Sequence, residues 1–145
     1  MSKRDDIALT LQTKLDALFA FPVYIQRYLP SSVLPAAIIY TTGDTPEKSA
    51  DESTNLRTEN VFIIIQDTGH EEHEASSGEQ TIEEKLNAYA LQVEGVLNKV
   101  RYNLDNVVFR FNFTGTEKSY KTDADQLIGI IKLNYSAIWH ERMTL

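Results

Sequence analysis

Cysteine is absent from this chain of 145 residues. Without it there are no disulfide frameworks, no thiolate-based zinc sites and no thiol nucleophiles. A chain without cysteine suits a reducing compartment, so we expect a cytosolic protein.

Positive charge is scarce. The chain has 14 Lys and Arg against 21 Asp and Glu, giving a formal net charge of -7. Proteins that bind nucleic acid by neutralising phosphates need Lys and Arg on one face, and no basic stripe is present. Lys3-Arg4 is followed directly by Asp5-Asp6. We therefore expect no DNA-binding function, although an acidic surface would repel DNA that passes along it.

Long hydrophobic runs are missing as well. No stretch approaches the roughly 20 apolar residues that span a bilayer, and Thr10, Gln12, Lys14 and Asp16 interrupt the first apolar segment. We expect a soluble protein with no signal peptide and no membrane partner. The hydrophobic fraction of 42% is enough for one ordinary core, so a single domain over 1–145 is predicted.

Two segments have the three- and four-residue spacing of amphipathic helices. The first runs from Lys3 to Phe21, with Ser2 as a candidate cap and Pro22 at its end. The second begins at a capping box, Thr81 to Glu84, and is predicted to reach about Tyr102. Its predicted apolar face consists of Ile82, Leu86, Tyr89, Val93, Val96 or Leu97, and Val100.

Strand patterns occupy the remaining apolar segments. Residues 23–29 are expected to be extended, and buried strands are predicted at 36–40 and 56–66. Two-residue alternation at 107–114 and 127–139 predicts an antiparallel pair. The fold class predicted is α+β: a mainly antiparallel or mixed sheet of about four to five strands, with two helices packed on one face.

Three polar segments separate these elements. Residues 42–55 and 67–80 contain Gly, Ser and many charges, which predicts mobile polar loops that order on assembly. Residues 115–125 are predicted to form a turn region.

His70 and His73, separated by two Glu residues, are the sharpest candidates for chemistry. On a helix they would suit Zn or Ni. However, metalloprotease histidines are four apart, and the neighbouring Gly69 favours a solvated acidic loop. They are weak metal candidates only.

Other catalytic signals are lacking. Asp123 and Asp125, with Asp105, do not have the offsets of a Ca²⁺ loop, and a turn is the favoured interpretation. No nucleophile elbow or glycine-rich phosphate loop is present, and His140 is expected at the surface. We predict no catalytic residue, no cofactor and no enzymatic activity.

Interface candidates are the remaining class of site. Arg57, Arg110 and Lys132 fall within or beside predicted strands, where charges often mark a sheet edge or subunit contact. Tyr135 and Trp139 are candidates for interface anchors, and core packing at the end of the sheet is an equally good interpretation.

Five stretches, read in order, resemble the tail terminator (minor tail protein) family of long-tailed bacteriophages and prophages. An amphipathic helix ends at 18–21 (LFAF), and 34–40 (LPAAIIY) gives a Leu-Pro followed by small residues. The stretch 57–65 (RTENVFIII) is similar to the family's strand with a leading Arg. The second helix, 86–97, and the final strand, from 123 to the aromatic Tyr135, complete the resemblance over nearly the whole chain. The chain has Asn87 where the family often carries Asp.

The resemblance implies a structural subunit of the virion tail that is assembled in the bacterial cytoplasm. It implies a homo-oligomer, a hexameric ring that ends tail-tube polymerisation and joins the head connector, with DNA only as passing cargo. The partners would be other copies of the chain, the tail tube protein and the head-connector protein. Two alternatives remain: another phage neck or head-completion protein, and a small metal-dependent hydrolase that uses His70 and His73.

Overall fold

The computed structural model describes residues 3–25, 34–48, 54–71, 80–99, 102–123 and 125–142. Its elements are α1 (Lys3–Leu18), β1 (Val23–Ile25), β2 (Ala36–Lys48), β3 (Thr54–Gly69), α2 (Ile82–Leu97), β4 (Arg110–Asp123) and β5 (Gln126–Arg142).

The strands form a five-stranded sheet in the order β1-β2-β3-β5-β4. β1 pairs parallel to β2, while β2–β3, β3–β5 and β5–β4 are antiparallel. The predicted α+β class with a mixed sheet is therefore confirmed. β3 and β5 are central, and the long strand β4 forms one edge.

Alternation along β5 divides the sheet into two faces. Ile131, Leu133, Tyr135, Ala137 and Trp139 are buried, and the residues between them are half-buried. Successive side chains of a strand point to opposite faces, so a period of two places all five on one side. The predicted apolar face of the last strand is confirmed.

Both helices pack on that same face. α1 contributes Ile7, Ala8, Leu11 and Leu15 to the core. α2 contributes Ile82, Leu86, Ala90, Val93 and Leu97. Gly129 of β5 lies directly beneath the side chains of Ile82 and Leu86. Because glycine has no Cβ, the first turn of α2 can approach the sheet closely here.

The start of α2 is capped as the sequence predicts. The Thr81 hydroxyl oxygen accepts a hydrogen bond from the Glu84 amide at 3.2 Å. The helix ends at Leu97, earlier than the predicted Tyr102, and the Asn98 amide closes it by donating to the Glu94 carbonyl. α1 likewise ends at Leu18 and not at Phe21.

The predicted loop at 42–55 is strand wherever it is described. Residues 42–48 continue β2 and residues 54–55 belong to β3, with a bulge between Thr42 and Asp44. Pairing with β3 and β5 supplies backbone hydrogen bonds that a polar composition does not reveal. The predicted connector at 67–80 also begins as strand, because β3 extends to Gly69. Residues 49–53 and 72–79 lie outside the described residues.

β4 is displaced from its predicted position. It was expected at 107–114 with a turn at 115–125, but it spans Arg110–Asp123 and contains a bulge between Phe113 and Gly115. Leu104, Asp105 and Asn106, which lie before the strand, have positive φ. Val108 is buried, and Phe109, which directly precedes β4, is 59% exposed.

Candidate assembly surface

The distal half of β4 is uncovered on both faces. Residues 116–123 are exposed throughout, since α1 and α2 cover other strands. The register places Thr116, Lys118 and Tyr120 on the helix side of the sheet, opposite Leu133, Ile131 and Gly129. An edge strand with unpaired backbone groups is a ready template for another chain.

A groove of about 650 Å³ lies between α2 and this part of β4. Leu91, which is 69% exposed, and Glu94 line its helix side, and Thr116 and Lys118 line its strand side. The Lys118 ammonium donates to Asn87 Oδ1, so the strand wall is tied to the helix.

A smaller pocket of about 320 Å³ lies at the C-terminal end of the same strand, which we call its lower end. Its apolar walls are Ile82, Leu127 and the ring of Tyr120, and two acids, Glu71 and Glu83, also line it. The pKa of the Tyr120 hydroxyl is raised, first by burial and then by the negative charge of Glu83. The site thus combines apolar surface with negative charge.

The N-terminal end of β4, which we call its upper end, carries an exposed aromatic side chain. The Phe109 ring meets the His140 ring edge to face, with centroids 5.3 Å apart. The Arg110 guanidinium carbon lies 5.8 Å from the centre of the same ring. Arg110 therefore places a cation beside an apolar group at the beginning of the edge strand.

The helix-free face of the sheet carries a charged pair. The Lys132 ammonium lies 4.1 Å from the centre of the Phe62 ring and 3.6 Å from the Glu117 carboxylate. A shallow cleft of about 590 Å³ beside them includes Ile64 and Ile130. Lys132, an interface candidate, is partly engaged within its own chain.

The two aromatic interface candidates belong to the core. Tyr135 is 1% exposed, stacks on Phe111 at 4.7 Å and donates its hydroxyl to Asn98 Oδ1 at 2.7 Å. Burial raises the pKa of Tyr135, and the charge of Glu94 adds to the effect. Trp139 is 8% exposed. Of the two interpretations left open by the sequence, core packing is the one the structure supports.

The three charged candidates do not come together. Arg57 is half-buried on the central strand β3, opposite Trp139, so it does not mark a sheet edge. Lys132 is on the central strand β5, and only Arg110 lies on the edge strand. Sequence alone cannot separate edge from centre, because pairing order is a tertiary property.

Of the two candidate metal ligands, only His70 is among the described residues. The carbonyl of His70 accepts from the Ile82 amide at 2.8 Å and so joins the end of β3 to the start of α2, whereas His73 lies outside the described residues. Asp105 pairs with Lys14 at 2.7 Å, which raises the pKa of that lysine. Within the described part of the chain, no group of three or more His, Cys, Asp or Glu residues could hold a metal ion.

Two buried acids were not singled out from the sequence, and both hold helices in place. Glu59, fully buried on β3, accepts from Arg4 Nε of α1 at 2.9 Å. Asp67, 4% exposed, accepts from the Tyr89 hydroxyl of α2 at 2.5 Å. Burial raises the pKa of Tyr89, with a further contribution from the hydrogen bond to Asp67.

Comparison with known proteins finds no matching family model and no matching curated protein. Among solved structures, the chain is similar to a chain in the virion of a native gene transfer agent particle. Sequence identity is 13%, each chain is covered over 93% of its length, and the TM-score is 0.47. A similarity at this level carries no inference about function. None of the described helices is long and apolar enough to cross a membrane.

Proposed function

We propose that this chain is a structural subunit of a phage or prophage tail that assembles with copies of itself into a ring. The observation that carries the proposal is the distal half of β4, an edge strand exposed on both faces over residues 116–123. Soluble proteins usually shorten or cover such an edge, because it invites pairing with another chain. In an assembly, neighbouring subunits cover it.

The position of the ring follows from the family resemblance of the sequence. The ring would cap the growing tail tube, halt its polymerisation and join the head connector. The net charge of -7 suits a ring through which DNA passes, because like charges keep the DNA from adhering.

We propose no catalytic role. The buried carboxylates Glu59 and Asp67 both bind groups on helices of their own chain, which is a structural use. Among the described residues that line the pocket at the lower end of β4 there are two acids but no His and no Ser.

Mass photometry and sedimentation velocity over a range of concentrations test the proposal. We expect one discrete ring species at high concentration, with monomer at low concentration. Negative-stain images of tail tubes mixed with the protein should show density at tube ends and shorter tubes. A strict monomer at every concentration, with no effect on tube length, would overturn the proposal.

A further inference from the structure

Opposite ends of β4 carry surfaces of opposite charge. At the upper end, Phe109 is 59% exposed and is flanked by Arg110 and His140; we call these three residues the Phe109 knob. At the lower end, the pocket of about 320 Å³ defined above has Tyr120 as one wall; we call it the Tyr120 pocket.

The two surfaces are far apart in one copy. Phe109 directly precedes β4 and Tyr120 lies eleven positions further along the chain, a separation of up to roughly 36 Å at about 3.3 Å per residue. A knob therefore cannot reach the pocket of its own chain. It can reach only the pocket of a second copy.

We propose that the Phe109 knob of one copy occupies the Tyr120 pocket of the next. The phenyl ring would lie between Ile82, Leu127 and Tyr120, where it loses its exposure to water. The cationic Arg110 would then face the acids that line the pocket, Glu71 and Glu83, of which Glu83 also lies 3.7 Å from the Lys118 ammonium of its own chain. The knob is apolar with positive charge, and the pocket is apolar with negative charge.

The geometry of this contact is head-to-tail, because two different surfaces of the chain meet. In an open row of subunits, such contacts leave an unfilled knob at one end and an unfilled pocket at the other. Every knob and every pocket is filled only when the row closes into a ring. The inference thus deepens the proposed ring function and rests on it. It also specifies which residues make the subunit contact.

Leu9 of α1 provides the matched control. It is also an exposed large apolar side chain, at 39%, but it belongs neither to the knob, nor to the pocket, nor to the groove between α2 and β4. If assembly were driven by exposed apolar surface in general, Leu9→Asp would disrupt it as Phe109→Asp does.

The experiment uses the full chain in sedimentation velocity, with circular dichroism to verify folding of each variant. Phe109→Asp and the double variant Glu71→Lys/Glu83→Lys should each weaken self-association by roughly tenfold or more, as expected for central interface residues. Leu9→Asp should assemble like the wild type. Adding Arg110→Glu to the double variant should restore assembly, because the charges are then exchanged across the contact.

Mixing the two blocked variants tests the head-to-tail geometry. The Phe109→Asp copy retains a pocket and the double variant retains a knob, so a one-to-one mixture should form dimers and nothing larger. If the wild type and Phe109→Asp assemble equally well, the knob contact is wrong and the ring proposal still stands. A mixture without dimers also overturns it. A wild type that never assembles overturns both.

Discussion

Replacing Gly129 by Ala tests how closely α2 packs on the sheet. An added Cβ would lie 2.9 Å from both Ile82 Cδ1 and Leu86 Cδ1, a separation that real Cβ atoms essentially never show. Both side chains are buried, so neither can move into solvent. Overpacking of this kind costs about 1–3 kcal/mol. The lower backbone entropy of the unfolded Ala chain offsets about 0.4–1 kcal/mol of that.

We therefore expect Gly129→Ala to lower the free energy of unfolding by about 1–2 kcal/mol. At about 2–4 °C per kcal/mol, the Tm should fall by roughly 2–8 °C. Urea denaturation followed by circular dichroism measures the first quantity, and calorimetry the second. Gly115→Ala is the matched control, since a Cβ there has no heavy atom within 4 Å. Equal urea midpoints for the two variants would refute the close packing of Ile82 and Leu86 on β5.

Three further predictions concern stability. Gly95→Ala, in α2 with open space around the added Cβ, should raise the free energy of unfolding by about 0.5–1 kcal/mol in urea titrations. Arg4→Ala should lower the free energy of unfolding by about 1–3 kcal/mol, because the fully buried Glu59 carboxylate loses a charged partner. Arg4→Lys should recover part of this loss. An unchanged urea midpoint in Arg4→Ala would count against a stabilising role of the pair. Folding raises the pKa values of Tyr89 and Tyr135 above the unfolded value of about 10. The stability that these two tyrosines contribute is therefore complete below about pH 10 and is lost as the pH rises further. Thermal melts between pH 8 and 11 should show a falling Tm that is shallower in Tyr135→Phe.

Local pattern was sufficient for the elements whose signal is contained in a few adjacent residues. The capping box at Thr81 and the period-two burial of β5 were both predicted, because capping and alternation depend only on near neighbours. The α+β class followed from the order of these elements. The absence of thiol chemistry follows directly from the lack of cysteine.

Strand pairing between segments that are distant in the sequence determined the parts of the fold that local patterns did not predict. Residues 42–48 and 115–123 are polar and contain Gly, so they were predicted as loops, yet they are strands because β3 and β5 lie alongside to pair with them. For the same reason, the sequence could not show that Arg57 is on a central strand while Arg110 is on the edge.

The candidate surfaces depend on the tertiary structure in the same way. Phe109 belongs to the alternating stretch 107–114 that predicts a strand, yet it lies just before β4 and is the most exposed phenylalanine of the described residues. The Tyr120 pocket joins the ends of β3 and β5, the start of α2 and the end of β4. The sequence determined which residues are apolar or acidic, whereas long-range hydrogen bonding decided which of them meet and which remain at the surface.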